Sequence, residues 1–200
     1  MNIEKRIKRH IWAKKHSILI TQIPPFRDLT ARELTRAGCG EYRITPHGIY
    51  LDLNLEDIYR LHLKLATASR IWLIAAEYRA GATEELYRRT AGIPWELYLS
   101  PALPLRIDAR VRRSRIRHEG AAAETLREGL SSRLTELELP VPPRPAGVEN
   151  DTPVQRLELI AEDNRVELRI DLSGEHLHRR GYRRLVGEAP LRETLAAGAI

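Results

Sequence analysis

Hydrophobic and polar positions change period several times along this chain, and each change marks an element. Residues 17–23 form a short apolar run closed by Pro24-Pro25, which reads as a strand. Thr30-x-x-Glu33 has the spacing of a capping box, with Leu29 and Leu34 placed as its hydrophobic staple and Gly38 as a stop. Two short strands are expected at 41–45 and 49–53, joined by a turn at Pro46-His47-Gly48. Asn54 then caps a second helix whose buried stripe is Ile58, Leu61 and Leu65. Another strand runs from 69 to 78 through Ile71, Leu73 and Ala75. The order β-α-β-β-α-β is the split-βαβ pattern of a ferredoxin-like unit.

The pattern shifts at Gly81. Thr83 is placed to cap a helix that passes through Leu86 and Tyr87 and ends by Gly92. Residues 93–99 read as a second short helix, with Pro94 at its first position and Trp95 as a core anchor. A strand at 105–111 turns Ile107 and Ala109 inward and feeds Arg112-Arg113-Ser114-Arg115-Ile116-Arg117-His118, after which a helix is expected over 119–137. Residues 140–153 are proline-rich and polar, hence an extended loop. Leu157 and Leu159, then Val166, Leu168, Ile170 and Leu172, alternate around Glu162-Asp163-Asn164-Arg165, which predicts a β-hairpin. Its second strand runs into Leu-Ser-Gly-Glu-His-Leu-His-Arg-Arg-Gly-Tyr-Arg-Arg at 172–184.

Composition narrows the class. A 200-residue chain with 42% hydrophobic residues builds a core, as one large domain or two small ones. A formal charge of +6 permits a polyanionic partner without requiring one. Beyond Lys64 every basic side chain other than histidine is arginine, which fits either codon bias or bidentate phosphate contacts. The first 16 residues are basic and lack an apolar core segment, so they do not read as a signal peptide; a solvated, partly frayed leader is favoured over an RNA-touching arm. Cys39 is the only cysteine, which excludes an internal disulfide and suits a reducing, cytoplasmic setting. No apolar run approaches the length of a membrane span.

Catalytic signatures are absent. The chain has no Gly-x-Gly-x-x-Gly, Cys-x-x-Cys or His-Glu-x-x-His, and no nucleophile–base spacing. His176 and His178 lack a third metal ligand, while His47 and His62 read as surface or edge residues. Binding chemistry is better represented. A strand, a basic loop and a helix start together place guanidinium groups beside free backbone amides. The candidate RNA contacts there are Arg110, Arg112, Arg113, Ser114, Arg115, Arg117 and His118, with Glu119 working against them. The alternative is a charged loop that is merely solvated. A second set comprises His178, Arg179, Arg180, Tyr182, Arg183 and Arg184, arginines beside an aromatic ring that suit phosphates and exposed bases. Both sets are expected on one face.

Four segments carry a family resemblance. Ser173-Gly174 with Leu177-His178-Arg179-Arg180-Gly181-Tyr182-Arg183, followed by Ala189-Pro190-Leu191-Arg192-Glu193-Thr194-Leu195-Ala196-Ala197, resembles the exit from the THUMP domain of bacterial RNA methyltransferases of the ribosomal-RNA guanine-N2 type. Ile93-Pro94-Trp95 with Tyr98, and Arg112, Ser114, Arg115, Ile116 and His118, are similar to further segments of that family; Arg117 stands where an aromatic is usual and Glu119 where serine is usual. The stretch from Ile49 to Leu73, with Leu55-Glu56-Asp57-Ile58-Tyr59-Arg60 and Ala66-Thr67-Ala68-Ser69-Arg70-Ile71, looks like the ferredoxin-like domain of the same family. The resemblance implies an α+β chain: a basic leader at 1–16, a ferredoxin-like domain at 17–80 and an α/β THUMP domain at 81–175. Residues 176–200 would be the exit segment and the start of a methyltransferase domain that this chain does not contain.

It further implies an RNA-docking module, non-catalytic by itself, within an S-adenosylmethionine-dependent enzyme that methylates guanine in 23S rRNA. No cofactor is expected in this chain; S-adenosylmethionine would belong to the catalytic domain. The expected partners are RNA, rRNA rather than tRNA, and a methyltransferase domain in cis or in trans, with no membrane. The alternatives are a stand-alone THUMP adaptor that binds tRNA for another modification enzyme, and a ferredoxin-like regulatory or dimerisation protein.

Overall fold

The computed structural model describes residues 3–146, 153–174, 177 and 193–198. Its centre is one seven-stranded sheet in the order β2-β3-β1-β4-β7-β6-β5. The strands are β1 (His16–Gln22), β2 (Tyr42–Thr45), β3 (Gly48–Leu53), β4 (Ala68–Arg79), β5 (Leu105–Arg112), β6 (Gln155–Glu162) and β7 (Arg165–Asp171). The helices are α1 (Ile3–Ile7), α2 (Arg27–Arg36), α3 (Leu55–Lys64), α4 (Thr83–Ala91), α5 (Glu119–Glu136) and α6 (Glu193–Gly198).

The first four strands and their two helices build the split-βαβ unit that the periodicity predicts. β1 pairs antiparallel with both β3 and β4, and β2 pairs with β3. β4 is long enough to serve two partners. Ala68 to Leu73 pairs with β1, and Trp72 to Arg79 pairs with β7 across a register shift between Ile74 and Ala76. One strand therefore joins both halves through a continuous ladder. β5 and β6 pair in parallel, connected through α5, and β6 and β7 form the predicted hairpin. Asp163 and Asn164 turn that hairpin at φ 50° and 60°, the left-handed pair that a two-residue hairpin turn requires.

Period-2 alternation fixes which side each strand buries. Ile18, Ile20, Ile49, Leu51, Ile71, Leu73, Leu157, Leu159, Leu168 and Ile170 are buried together in one core with Leu34, Leu61, Leu86, Leu126 and Leu130 from the helices. The opposite face of the sheet carries most of the polar positions of the same strands, with Leu19 of β1 and Trp72 of β4 buried among them. Trp95 is fully buried, and its indole N–H donates to Thr90 O at 2.9 Å, so it acts as the predicted core anchor. Asn54 caps α3 as expected, accepting from the Asp57 N–H at 2.8 Å. At the β2–β3 turn, Gly48 sits at φ +145°, and a Cβ there would run into Ile20 O.

Three expectations need correction. α2 begins at Arg27 and not at Thr30, because residues 24–26 already form a 3-10 turn that leads into it. Thr30 is thus interior and buried: its hydroxyl donates to Phe26 O and meets the Thr67 hydroxyl. Glu33 caps a different segment, accepting from the backbone N–H groups of Ala66 and Thr67. The stop at Gly38 does hold, as a Schellman ending with Cys39 N–H to Leu34 O and Gly38 N–H to Thr35 O. At the next helix Thr83 is the first residue and not the cap: Ala82 stands at the N-cap, while the Gly81 N–H donates to Glu85 Oε2 at 3.2 Å.

The leader is the third correction, because it is not frayed. Residues 3–12 are helical, α1 continuing into a π-turn over Lys8–Trp12, and Arg6 donates to Glu96 Oε1 at 2.6 Å. Arg133 of α5 reaches the same carboxylate at 3.1 Å, and the Glu96 side chain is only 1% exposed. Burial raises the Glu96 pKa, but hydrogen bonds from Arg133 and Arg6 outweigh it and hold the carboxyl below its usual range. At the other end, Thr194 of α6 is buried, and a Cβ on Gly198 would strike the Phe26 ring.

Candidate nucleic-acid interface

β5 delivers the chain to the 112–118 loop, and α5 takes it away at Glu119. Ile116 is buried and anchors the loop to the core, so its neighbours Arg115 and Arg117 are turned outward and exposed. A second anchor comes from the β6–β7 turn. Asn164 Oδ1 accepts from the Arg115 N–H at 2.8 Å and from the Ser114 hydroxyl at 3.2 Å. Asn164 O also accepts from the Ala80 N–H at 2.9 Å. One residue therefore ties together the end of β4, the hairpin turn and the basic loop. The Arg115 side chain lies over Gly81, its Cδ 3.5 Å from where a glycine Cβ would stand. Glu119 accepts from the Val111 N–H at 3.2 Å, so its carboxylate folds back on β5.

Electrostatics divide the predicted residues into two groups. Arg113, at φ 45°, is spent on local acids: it meets Glu162 at 2.6 Å and Asp163 at 3.1 Å. Hydrogen bonds and charge from Asp163, with Glu162 adding charge, raise its pKa further. Arg110 pairs with Glu158 at 3.3 Å, and the Ser114 hydroxyl is used by Asn164. Arg112, Arg115 and Arg117 are exposed and form no ion pair among the described residues. His118 stands at the N-cap of α5 without a side-chain capping bond. Of the predicted contacts that are described, Arg112, Arg115 and Arg117 are thus the arginines left without an ion pair among the described residues.

His178, Arg179, Arg180, Tyr182, Arg183 and Arg184 lie outside the described residues, as does His176. The expected meeting of the two arginine turns falls with them. Leu177, the described residue that precedes the second turn, is buried, with its N–H on Ser69 O. Ser69 and Arg79 are ten residues apart on β4, about 33 Å in an extended strand. Leu177 therefore lies at the opposite end of β4 from the 112–118 loop.

The helix-free face of the sheet was not singled out from sequence. Tyr50 on β3 donates to Glu167 on β7 at 3.0 Å, although β1 and β4 stand between those strands. The sheet is therefore concave on this side. Burial, reinforced by the Glu167 charge, pushes the Tyr50 hydroxyl up to about 12 and keeps it a neutral donor. Arg43 stacks 5.0 Å from the centre of the Tyr50 ring. Arg169 pairs with Glu167 and, at 3.4 Å, with Glu158. Near the strand ends the concavity opens into a groove of about 770 Å³ lined in part by Arg43, His47, Tyr50, Arg79, Arg165 and Arg169. Arg70 is buried against Asp171 and bonds Gly174 O at 3.1 Å, so it borders the sheet and is not displayed.

With this geometry in view, comparison with known proteins places the first half. Residues 18–72 match the RlmL ferredoxin-like domain. The ferredoxin-like unit is thus β1 to the start of β4. The chain is 36% identical over 172 residues to the "Ribosomal RNA large subunit methyltransferase K/L" of Syntrophotalea carbinolica, covering 86% of this chain and 24% of that protein. It is 35% identical over 176 residues to the protein of that name from Cellvibrio japonicus, covering 86% and 22%. The chain therefore spans about a quarter of the length of the curated relatives it matches.

Among solved structures, "a possible methylase" from Clostridium difficile superposes at TM-score 0.75 with 26% identity, over 92% of this chain and 48% of that one. A "predicted N6-adenine-specific DNA methylase" from Listeria monocytogenes gives TM-score 0.79 with 23% identity, over 96% and 49%, and shares the fold. The described residues hold no group of three or more His, Cys, Asp or Glu able to bind a metal. No helix among them is long and apolar enough to cross a membrane.

Proposed function

We propose that this chain is the RNA-docking portion of a large-subunit ribosomal RNA methyltransferase, with residues 81–175 serving as its THUMP domain, and that it performs no chemistry itself. The observation that carries this reading is the 112–118 loop, a rigid basic segment between a strand and a helix start. It displays three arginines without acid partners among the described residues, and such groups bind phosphate oxygens bidentately. Similarity over most of the chain to proteins named ribosomal RNA large subunit methyltransferase K/L supports rRNA as the ligand class. The catalytic half, with its S-adenosylmethionine and the guanine it modifies, would lie in a separate domain in cis or in trans.

RNA binding by the chain, followed by fluorescence anisotropy with a labelled rRNA fragment, tests the reading. Replacing Arg112, Arg115 and Arg117 with Gln should lower the log–log salt slope by about 2, at roughly 0.7 per phosphate contact on a single strand. The fold should be retained, because all three side chains are exposed. Unchanged affinity and slope in that variant reject the assignment. Methyl transfer to RNA by the purified chain with S-adenosylmethionine would reject its non-catalytic role.

A further inference from the structure

The pairing register of the second half of the sheet lines up arginines that sequence spacing keeps apart. Arg79 on β4 stands directly opposite Arg165 on β7. Arg165 stands opposite Glu162 on β6, and Glu162 opposite Arg112 on β5. All four are on the helix-free face, since their strand neighbours Tyr78, Val166 and Ala161 pack against the core. One row therefore crosses four strands, about 14 Å from Arg79 to Arg112, and ends at the 112–118 loop. Like charges placed opposite each other on neighbouring strands repel. Yet Arg79, Arg165 and Arg112 are exposed and have no ion-pair partner among the described residues.

Acids are present nearby, but other groups hold them. Arg113 takes Glu162 and Asp163, and His47 approaches Glu162 at 3.8 Å. Glu167 is held by Arg169 and Tyr50. Glu77 is the remaining carboxyl: burial and the neighbouring Glu167 raise its pKa while the Arg43 and Arg165 charges lower it, and among the described residues it forms no ion pair with Arg79 or Arg165.

We propose that a single-stranded stretch of RNA continues from the 112–118 loop into the groove on the helix-free face, with its phosphates on Arg112, Arg165 and Arg79. This rests on the RNA-docking reading above and adds the path and the strandedness of the ligand. The groove, about 770 Å³, has the volume of a small-ligand site and accommodates a nucleotide or two, not a duplex. Its walls combine unpaired guanidiniums with the stacked Arg43–Tyr50 pair, the chemistry that follows a single-stranded backbone.

The test uses the full chain and two labelled probes, a single-stranded oligoribonucleotide and a blunt-ended RNA duplex. Arg79→Gln combined with Arg165→Gln should weaken binding of the single strand about tenfold and lower its salt slope by about 1.4, for two contacts at roughly 0.7 each. Duplex binding should change less than twofold. The melting temperature should stay level or rise, because a repulsive pair has been removed. A control, Arg88→Gln with Arg89→Gln on α4, should alter neither probe. If the double variant binds the single strand like the parent, or loses both probes equally, the groove path is overturned while the docking reading stands. A lower melting temperature shows instead that acids hold these arginines, and overturns it too. If the parent chain binds neither probe, the docking reading fails and this inference fails with it.

Discussion

The leader and the 112–118 loop look alike as strings of basic residues, and the fold uses them in opposite ways. In the leader, Arg6 is drawn into a buried pair with Glu96, 90 residues away, and the helix it belongs to is clasped onto the second half of the molecule. In the loop, one arginine of four, Arg113, is neutralised by neighbouring acids, while Arg112, Arg115 and Arg117 remain exposed and unpaired among the described residues. The leader's arginine is structural and the loop's arginines are available. Density of positive charge in a sequence therefore says little about whether that charge can meet a ligand. What decides is the supply of acids at ion-pair distance.

The largest expected effect lies on the leader side. Glu96→Leu would remove the carboxylate that both Arg6 and Arg133 bond. Loss of one partner from a buried pair costs 3–5 kcal/mol in full burial. Both arginines are about a quarter exposed, so a loss of about 2 kcal/mol in urea unfolding is expected. Hydrogen exchange should show residues 3–12 released first. If the leader stays protected, its docking does not depend on this carboxylate.

A smaller effect is expected at the hairpin turn. Asn164→Gly keeps the left-handed backbone but removes the acceptor for Arg115 N–H and the Ser114 hydroxyl. Stability should fall by about 1 kcal/mol, and RNA affinity should fall with it, since the loop loses the tie that sets its shape. Unaltered RNA affinity would mean that the loop is ordered by Ile116 alone.

Acidification separates the two regions by sign. The folded-state pKa of Glu96 lies below its ordinary value. The stabilisation it brings is complete above the unfolded pKa of about 4.3 and is lost as pH falls through the lower, folded value. Protease cleavage within residues 3–12 should therefore accelerate below about pH 4, while the loop's arginines keep their charge. Accelerated cleavage already at neutral pH would contradict the docked leader. The smallest effect is expected at Arg113. Its pairs are solvent-exposed, so Arg113→Gln should change stability little, and less still in high salt. RNA affinity should fall less than for Arg115→Gln.

Much of the fold was legible because its signals are local. Asn54 caps α3, Gly38 ends α2, and the Glu162–Arg165 stretch turns the last hairpin. Each depends on residues within a few positions of one another. The false capping box at Thr30 and Glu33 shows the limit of such signals. The spacing was present, but the 3-10 turn at 24–26 started the helix earlier, and both side chains found partners in the segment before β4. For the candidate site, the loop was found from its arginines, and Asn164 was read only as part of a turn. Arg79 and Arg165 carried no sequence signal as a pair, because 86 residues of chain separate two positions that only the β4–β7 register brings together.

By itself the sequence determined the order of strands and helices from β1 to β7 and the face each strand buries. Those follow from side-chain period and from backbone capping within one or two turns. The tertiary structure alone decided which basic residues are spent and which remain, and that the polar side of the sheet is a concave groove. Ion pairing depends on separation in space, not along the chain. A strand register fixes that separation only once distant segments have met.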